Sequence, residues 1–211
     1  ERSVNLFGTG PSLSEVKSYR LSGDNIVCNS LIKNDDLMDY IQPSAMAAAD
    51  PIFHAGVSRY AGAFRRNLVT ALRERDITLF VPMRDYVLYR KALPAELFDR
   101  VIGVPFAPGK VNYLDLKKDF CVAPHGNVLT LLLLPIAGSL YEEIRIAGCD
   151  GKREGEDAYF WSHHAASQYV DEMEGIQRAH PGFFNISYGD YYKKHLETLG
   201  DMLDELEGAG K

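Results

Sequence analysis

The chain has 211 residues, of which 46% are hydrophobic and 25% are charged, a composition that supports one large globular core. Its 29 acidic residues outnumber its 23 basic residues, which gives a net charge of −6 and argues against a general nucleic-acid-binding protein. The longest apolar stretch, residues 128–137, is too short to cross a bilayer and contains Pro135. We expect one domain over residues 1–211, either a whole protein or a piece of a longer one.

Strand-like apolar runs alternate with helical patterns along the chain. The predicted strands lie near residues 3–7, 25–28, 45–49, 77–81, 100–104, 119–122 and 143–149. The predicted helices lie near residues 12–19, 35–41, 58–74, 84–93, 127–140, 165–179 and 188–207. This alternation predicts an α/β, Rossmann-like fold with a mostly parallel sheet and helices on both faces. The polar, glycine-containing segment near 150–165 is the candidate lid.

The first predicted strand ends in a glycine-rich turn, Gly8-Thr9-Gly10-Pro11-Ser12. Its glycines allow a tight turn and a close approach of the backbone to a ligand. The proline suits a helix start, and Ser12 with Glu15 fits a capping box. The free N–H groups of such a helix start would bind a phosphate. An ordinary strand–turn–helix corner accounts for the same residues, and this alternative stays open.

Polar or glycine residues follow five of the predicted strands. They are Gly8-Thr9-Gly10, Asn29-Ser30, Asp50-Pro51, Pro124-His125-Gly126-Asn127 and Asp150-Gly151. Each group alone is typical of an ordinary loop. Ligands of open α/β sheets bind at the carboxyl ends of the strands, so the five groups together predict a site at one edge of the sheet.

The cysteines and acidic residues give no sign of a metal or a disulfide. Cys28, Cys121 and Cys149 lie in or beside apolar runs, lack metal-ligand spacing and are odd in number, which favours reduced thiols and a cytoplasmic location. No Asp-x-Asp motif of metal-dependent transferases occurs in the sequence, and we interpret Asn34-Asp35-Asp36 as a helix start. We expect no bound metal, and no cofactor besides the substrates.

Four motifs occur in a recognisable order between residues 4 and 150. They are Gly8-Thr9-Gly10-Pro11-Ser12-Leu13, Cys28-Asn29, Asp50-Pro51 and an Ile-x-Ile-x-Gly-x-Asp pattern that ends at Asp150. In this combination the chain resembles the bacterial sialyltransferases that build lipooligosaccharide outer cores. It also resembles a wider set of proteins with a Gly-x-Gly-Pro-Ser-Leu start, which includes flagellin-modifying nonulosonate transferases and pterin diphosphokinase-like proteins.

The resemblance implies that a CMP-activated sugar lies across the strand ends. Its nucleotide and sugar contacts would come from Gly8, Thr9, Gly10, Pro11, Ser12, Asn29, Ser30, Asp50, Gly126, Asn127 and Tyr159. Two departures stand out: Asp50 replaces an Asn of the family, and His125-Gly126-Asn127 replaces a Thr-Ser-Gly turn. The expected donor sugar is therefore a sialic acid or a related 2-keto sugar acid such as 3-deoxy-octulosonate.

The same resemblance implies a histidine as general base, and the ordinary pKa of imidazole suits that task near neutrality. We expect His164, ahead of His163, because both follow the aromatic run 159–161, although exposed histidines at a helix start would look the same. His125, at a strand end, is the rival base. Asp150 positions the donor, acts as a nucleophile in a retaining enzyme, or merely orders its loop.

The leading hypothesis is a CMP-sugar-dependent glycosyltransferase of lipopolysaccharide or capsule synthesis. Its partners would be the donor and a glycan acceptor, with no nucleic acid, and other regions would attach it peripherally to the inner face of the membrane. One alternative is an ATP-dependent hydroxymethylpterin diphosphokinase, whose Mg²⁺ would be held by Asp50 and Asp150. Another is a non-catalytic module that binds nucleotide sugars.

Overall fold

A six-stranded sheet organises the fold. The computed structural model describes residues 2–107, 112–151, 165–182 and 187–211. The strands are β1 (Ser3–Phe7), β2 (Asp24–Cys28), β3 (Ala45–Ala47), β4 (Thr78–Pro82), β5 (Val101–Val104) and β6 (Glu143–Ala147). They lie in the order β5-β4-β3-β2-β1-β6, and every neighbouring pair is parallel. The predicted α/β, Rossmann-like fold is thus confirmed.

Helices cover both faces of this sheet. The α-helices are α1 (Asp35–Ile41), α2 (Pro51–His54), α3 (Arg59–Glu74), α4 (Met83–Ala92), α5 (Leu134–Leu140), α6 (Met173–Ala179) and α7 (Tyr188–Gly208). Shorter 3₁₀ segments lie at Pro11–Ser18, Asn29–Lys33, Ala95–Arg100, Ala165–Ser167 and Val170–Glu172. Within the described ranges, no helix is both long and apolar enough to traverse a membrane.

Two separate apolar cores hold the layers together. Phe64 and Leu68 of α3 pack with Met38 of α1 in the first core, and Ile136 of α5 packs with Met202 of α7 in the second. Central parallel strands covered in this way are apolar on both faces, as expected from two-sided burial. The outer strand β6 instead exposes Glu143 and Arg145, and such charges discourage pairing with another chain.

The sheet has a switch point beside β1. Strands β1 to β5 follow one another outwards in chain order, and the chain then returns along the other face to place β6 against β1. Crevices form outside the carboxyl ends of strands where the direction of winding changes, because the flanking loops diverge there. The topology therefore favours a ligand site at the ends of β1 and β6.

Several predicted elements differ in the structure. The predicted helix near 12–19 is a 3₁₀ segment, and the predicted helix near 165–179 is an α-helix only over Met173–Ala179. Residues 119–122 form no strand, and only an isolated bridge joins Phe106 to Val122. The reason is incomplete burial, because Phe120 is 52% exposed and a parallel strand needs cover on both faces. The predicted helix near 127–140 begins as a π-helix at Leu129–Leu133, since Pro135 cannot donate the backbone hydrogen bond that an α-helix requires.

Candidate functional site

A cavity of about 400 Å³ lies at the carboxyl ends of β1, β2, β3 and β6. The predicted site residues that line it are Gly8, Thr9, Gly10, Asn29, Ser30, Asp50, Gly126, Asn127 and Asp150. Its volume is within the range of pockets that bind small molecules and cofactors. The structure thus brings the strand-end loops together at one edge of the sheet, as the sequence predicts.

The remaining predicted residues lie elsewhere. Pro11 and Ser12 begin a 3₁₀ segment and do not line the cavity, and His125 stands next to the lining residue Gly126. The predicted residues Tyr159, His163 and His164, and most of the candidate lid near 150–165, are outside the described residues. The lining residues Gly151 and Gln168 are the nearest described ones on either side of that segment.

Helix α7 supplies a wall of the cavity that the sequence patterns do not predict. The wall residues from this helix are Tyr191, Tyr192, His195, Leu196 and Leu199. The Tyr191 hydroxyl donates a hydrogen bond to the carbonyl oxygen of Gly126 at 2.6 Å, which fixes the helix to the loop before the π-helix. An amphipathic stripe of this kind usually packs in a core, but here its first half is aromatic and polar and lines the cavity, whereas Met202 and Leu206 in its second half are buried.

The glycines of the first turn serve a packing role. A Cβ atom at Gly8 would lie 2.3 Å from the carbonyl oxygen of Gly148, and one at Gly10 would lie 2.1 Å from Oδ2 of Asp150. The close approach that requires glycine is therefore made by the protein's own β6 loop. The expectation that these glycines admit a ligand needs this correction.

The backbone amides predicted for phosphate binding are also engaged within the protein. The Gly10 amide donates to the Gly148 carbonyl oxygen at 2.7 Å, and the Ser12 amide donates to Oδ2 of Asp150 at 3.1 Å. The Asp150 carboxylate thus satisfies a free amide of the helix start, the place expected for a phosphate. The N-cap is Gly10 without a side-chain hydrogen bond, so the predicted capping box is wrong as well.

Asn29, directly after β2, is under conformational strain. Its φ of 48° lies in the left-handed region, which costs a non-glycine residue about 1 kcal/mol. Its side-chain oxygen Oδ1 is buried and accepts no hydrogen bond from the described residues. Strain and an unpaired acceptor on one cavity-lining residue are typical of a binding site.

Asp50 lies three residues after the end of β3, the strand that neighbours β2 on the side away from β1. Burial raises the pKa of its carboxyl group to about 7, against the lowering effects of the Phe53 amide and of Arg84. Arg84 lines the cavity too, but its Nε lies 3.3 Å from Oδ1 of Asp85 and is paired there. Asp50 therefore titrates near neutrality inside the cavity.

The described histidines near the site are neutral at pH 7. His54 is fully buried, stacks on Phe64 at 4.1 Å, and accepts the Asp50 amide hydrogen at Nδ1, and burial lowers its pKa to about 3. Burial also lowers the pKa values of His125 and His195. Nε2 of His125 and Nδ1 of His195 are buried without partners among the described residues, so both rings retain unused nitrogen atoms.

The remaining candidate groups are His180, the three cysteines and the acidic side chains that could bind a metal. His180 caps the end of α6 and does not line the cavity. Cys28, Cys121 and Cys149 are free thiols. The described ranges contain no group of three or more His, Cys, Asp or Glu side chains placed to hold a metal ion.

Comparisons with known proteins give a likeness at the level of fold. No protein-family model matches the chain, and no curated protein matches its sequence. Two structures of the sialyltransferase CstII from Campylobacter jejuni, one with cytidine-5'-monophosphate and one with CMP-3FNeuAc, are similar to 86% of this chain. The similarity covers 77% and 78% of those chains, with 12% and 13% identity and a TM-score of 0.44 in both cases. Values this low identify neither the reaction nor the substrate of this chain.

Proposed function

We propose that this protein is a glycosyltransferase that moves a sialic acid or a related 2-keto sugar acid, such as 3-deoxy-octulosonate, from a CMP donor to a glycan acceptor during surface polysaccharide synthesis. The observation that carries the proposal is Asn29, which follows β2 in a left-handed conformation and holds at the cavity wall a buried oxygen that has no partner among the described residues. In the sequence, Cys28-Asn29 is one of the motifs that resemble the bacterial sialyltransferases.

The lining of the cavity suits a nucleotide sugar. Thr9, Ser30 and Asn127 provide neutral polar groups, and Val128 and Leu129 provide an apolar wall beside them. Apolar surface with a few polar groups is the usual composition of a small-molecule site, in which the polar groups fix the orientation of base and sugar.

Departure of the sugar requires that negative charge on the leaving phosphate be stabilised. The Gly10 and Ser12 amides are already engaged, so we assign this task to other cavity residues. Arg84 lines the cavity with a side chain that is 57% exposed, and Tyr192 places its hydroxyl beside Gly151. Arg84 supplies positive charge, and Tyr192 donates a hydrogen bond.

The acceptor hydroxyl must lose a proton to a base. His164 remains our choice, with His163 next. Among the described residues, His125 and His195 are the rivals, because each holds a buried ring nitrogen without a partner and is neutral at pH 7. A neutral imidazole can accept the proton directly.

Calorimetry with two ligands tests the proposal. We expect CMP to bind and ATP with Mg²⁺ to give no heat, followed by slow hydrolysis of CMP-N-acetylneuraminate or CMP-3-deoxy-octulosonate when no acceptor is present. Binding of ATP with Mg²⁺ but not of CMP would overturn the proposal in favour of a pterin diphosphokinase. Binding of CMP without hydrolysis or transfer of either donor would leave a non-catalytic module.

A further inference from the structure

The cavity contains an acidic residue that lacks a counter-ion in the described part of the chain. Asp50 lines the cavity, and Arg84, the cation that lowers the pKa of its carboxyl group, makes its ion pair with Asp85 at 3.3 Å. An ionised carboxylate at this position would face an anionic donor at short range inside a partly buried pocket. Like charges in such a setting repel strongly, because little water screens them.

The neutral neighbours of Asp50 are committed to other partners. The Tyr60 hydroxyl, from α3, donates to Oε1 of Gln168 at 2.7 Å, and the Tyr191 hydroxyl, from α7, donates to the Gly126 carbonyl oxygen at 2.6 Å. His54, from α2, accepts the Asp50 amide hydrogen at Nδ1. The hydroxyl protons of Tyr60 and Tyr191 therefore point to these acceptors and not to the Asp50 carboxyl group.

The groups of α4 make ionisation of Asp50 still less favourable. Asp85 adds a second negative charge on that side, and its own ion pair with Arg84 reduces the compensation available to Asp50. The negative charge of Asp50 in turn raises the pKa of Tyr60, Tyr89 and Tyr191, after the larger effect of burial, so these phenols stay protonated.

We propose that the pocket binds its anionic donor together with one proton, which Asp50 takes from solvent and holds between its carboxyl group and the donor. The inference rests on the proposed function, since it requires a negatively charged ligand. The protonated carboxyl group donates a hydrogen bond to a donor oxygen, whereas the ionised group repels it. Asp50 is then the residue that makes donor affinity depend on pH.

The size of the effect follows from the titration of Asp50. With a pKa of about 7 in the free protein, the competent protonated fraction falls about tenfold between pH 6 and pH 8. The phosphodiester and carboxylate of a CMP-linked sugar acid are ionised throughout this range. His54, with a pKa of about 3, does not change charge in it.

The test is calorimetry of the 211-residue protein with CMP-3FNeuAc at pH 6, 7 and 8, each in two buffers of different ionisation enthalpy. For the unmodified protein we expect an affinity about tenfold weaker at pH 8 than at pH 6, with uptake of close to one proton at pH 8. Asp50→Asn, which keeps the shape and a hydrogen-bond donor, should bind with the same affinity at pH 6 and pH 8 and take up no proton. Asp36→Asn, at an exposed carboxylate of α1, should behave as the unmodified protein does.

The outcomes separate this inference from the proposed function. Binding of CMP-3FNeuAc with a pH-independent affinity and no proton uptake would overturn the role of Asp50 and leave the donor pocket intact. If Asp50→Asn retains the full pH dependence of affinity, the role of Asp50 is likewise overturned. If neither CMP nor CMP-3FNeuAc binds at any pH, the proposed function and this inference both fail.

Discussion

Asn29 has two features that the fold alone does not require. A left-handed backbone and a buried side-chain oxygen with no partner in the described part of the chain each cost free energy, and both occur on a residue that lines the cavity. Gln42 has nearly the same φ, at 47°, but it ends helix α1, where this conformation is common, and its side chain is exposed. The strained backbone of Gln42 therefore serves to end a helix, whereas that of Asn29 places a side chain at the cavity.

We predict that Asn29→Gly weakens CMP-sugar binding about fivefold, because one hydrogen bond worth about 1 kcal/mol is lost. The free energy of unfolding should stay within about 0.5 kcal/mol of the original, since glycine adopts positive φ without strain. Gln42→Gly is the matched control and should leave the affinity unchanged. Calorimetry and urea unfolding measure both quantities, and equal affinities for the two variants would remove Asn29 from the site.

The second prediction at this scale concerns the base. His164→Ala should lower the transfer rate by roughly 10²–10⁴-fold while CMP affinity stays the same, because the base acts on the acceptor. His163→Ala, His125→Ala and His195→Ala are assayed in parallel for kcat. If His164→Ala transfers sugar at a near-normal rate, the base is instead the histidine whose replacement lowers kcat.

Among the elements, the β1 and β6 loops make a close junction near the cavity. The Gly8 amide donates to the Ala147 carbonyl oxygen at 2.9 Å, and the Asp150 carboxylate accepts the Ser12 amide hydrogen. The two loops and the 3₁₀ segment Pro11–Ser18 therefore form one hydrogen-bonded unit at the switch point. These hydrogen bonds connect the loops that form the neighbouring cavity wall.

We predict that Gly8→Ala lowers the free energy of unfolding by about 1–3 kcal/mol, because its Cβ would press against the Gly148 backbone oxygen, which cannot rotate away. Gly200→Ala is the control: Gly200 lies on α7 with no atom within 4 Å of the added Cβ, so stability should rise by about 0.5–1 kcal/mol. Urea unfolding gives both values. If Gly8→Ala leaves the free energy of unfolding unchanged, the β6 loop must move to make room for the added methyl group.

The elements themselves were largely predictable from the sequence, and each exception has its own physical reason. Helix α3 matches its predicted position because Tyr60, Phe64 and Leu68 recur at helical spacing, a local property of the sequence. The run 119–122 looked like a strand, but strand formation depends on a partner and on cover from distant segments. The π-helix at Leu129–Leu133 follows from Pro135. A proline in a helical pattern predicts a break in the α-helical hydrogen bonds, but not whether the result is a kink or a π-helix.

For the whole molecule, two buried groups make stability depend on pH in opposite senses. Asp50 has a pKa of about 7 in the folded protein and an ordinary value of 3.8, so between these values the folded state holds a proton that the unfolded state lacks. His54 has a pKa of about 3 when folded and an ordinary value of 6.5, so there the unfolded state holds the extra proton. With rising pH, Asp50 thus lowers stability and His54 raises it, each by up to about 1.4 kcal/mol per pH unit.

We predict that these slopes cancel between about pH 4 and pH 6.5 and reappear when one group is removed. From pH 5 to pH 6, Asp50→Asn should gain about 1 kcal/mol of stability relative to the unmodified protein, and His54→Gln should lose about the same amount. Urea unfolding at the two pH values provides the measurement. If the free energy of unfolding changes equally from pH 5 to pH 6 in the unmodified protein and in both variants, neither Asp50 nor His54 has the shifted pKa given above.

The site was predictable in part, at the scale of the whole molecule. The strand-end rule brought Asn29, Asp50 and Asp150 together because it follows from sheet topology. It could not indicate that Asp150 occupies the helix start, which depends on how two distant loops pack. Nor could it separate the cavity-lining half of α7 from its buried half, because an amphipathic pattern does not reveal what covers it.

The pairing of β1 with β6 also has a kinetic consequence. Ser3 lies opposite Glu143, whereas β1 to β5 pair in chain order with strands that follow closely. Closing so long a loop is entropically costly, so during refolding β6 should dock after the other strands have assembled. Intermediates that lack β6 would have no crevice, and ligand capture would then mark the completion of folding and not its onset.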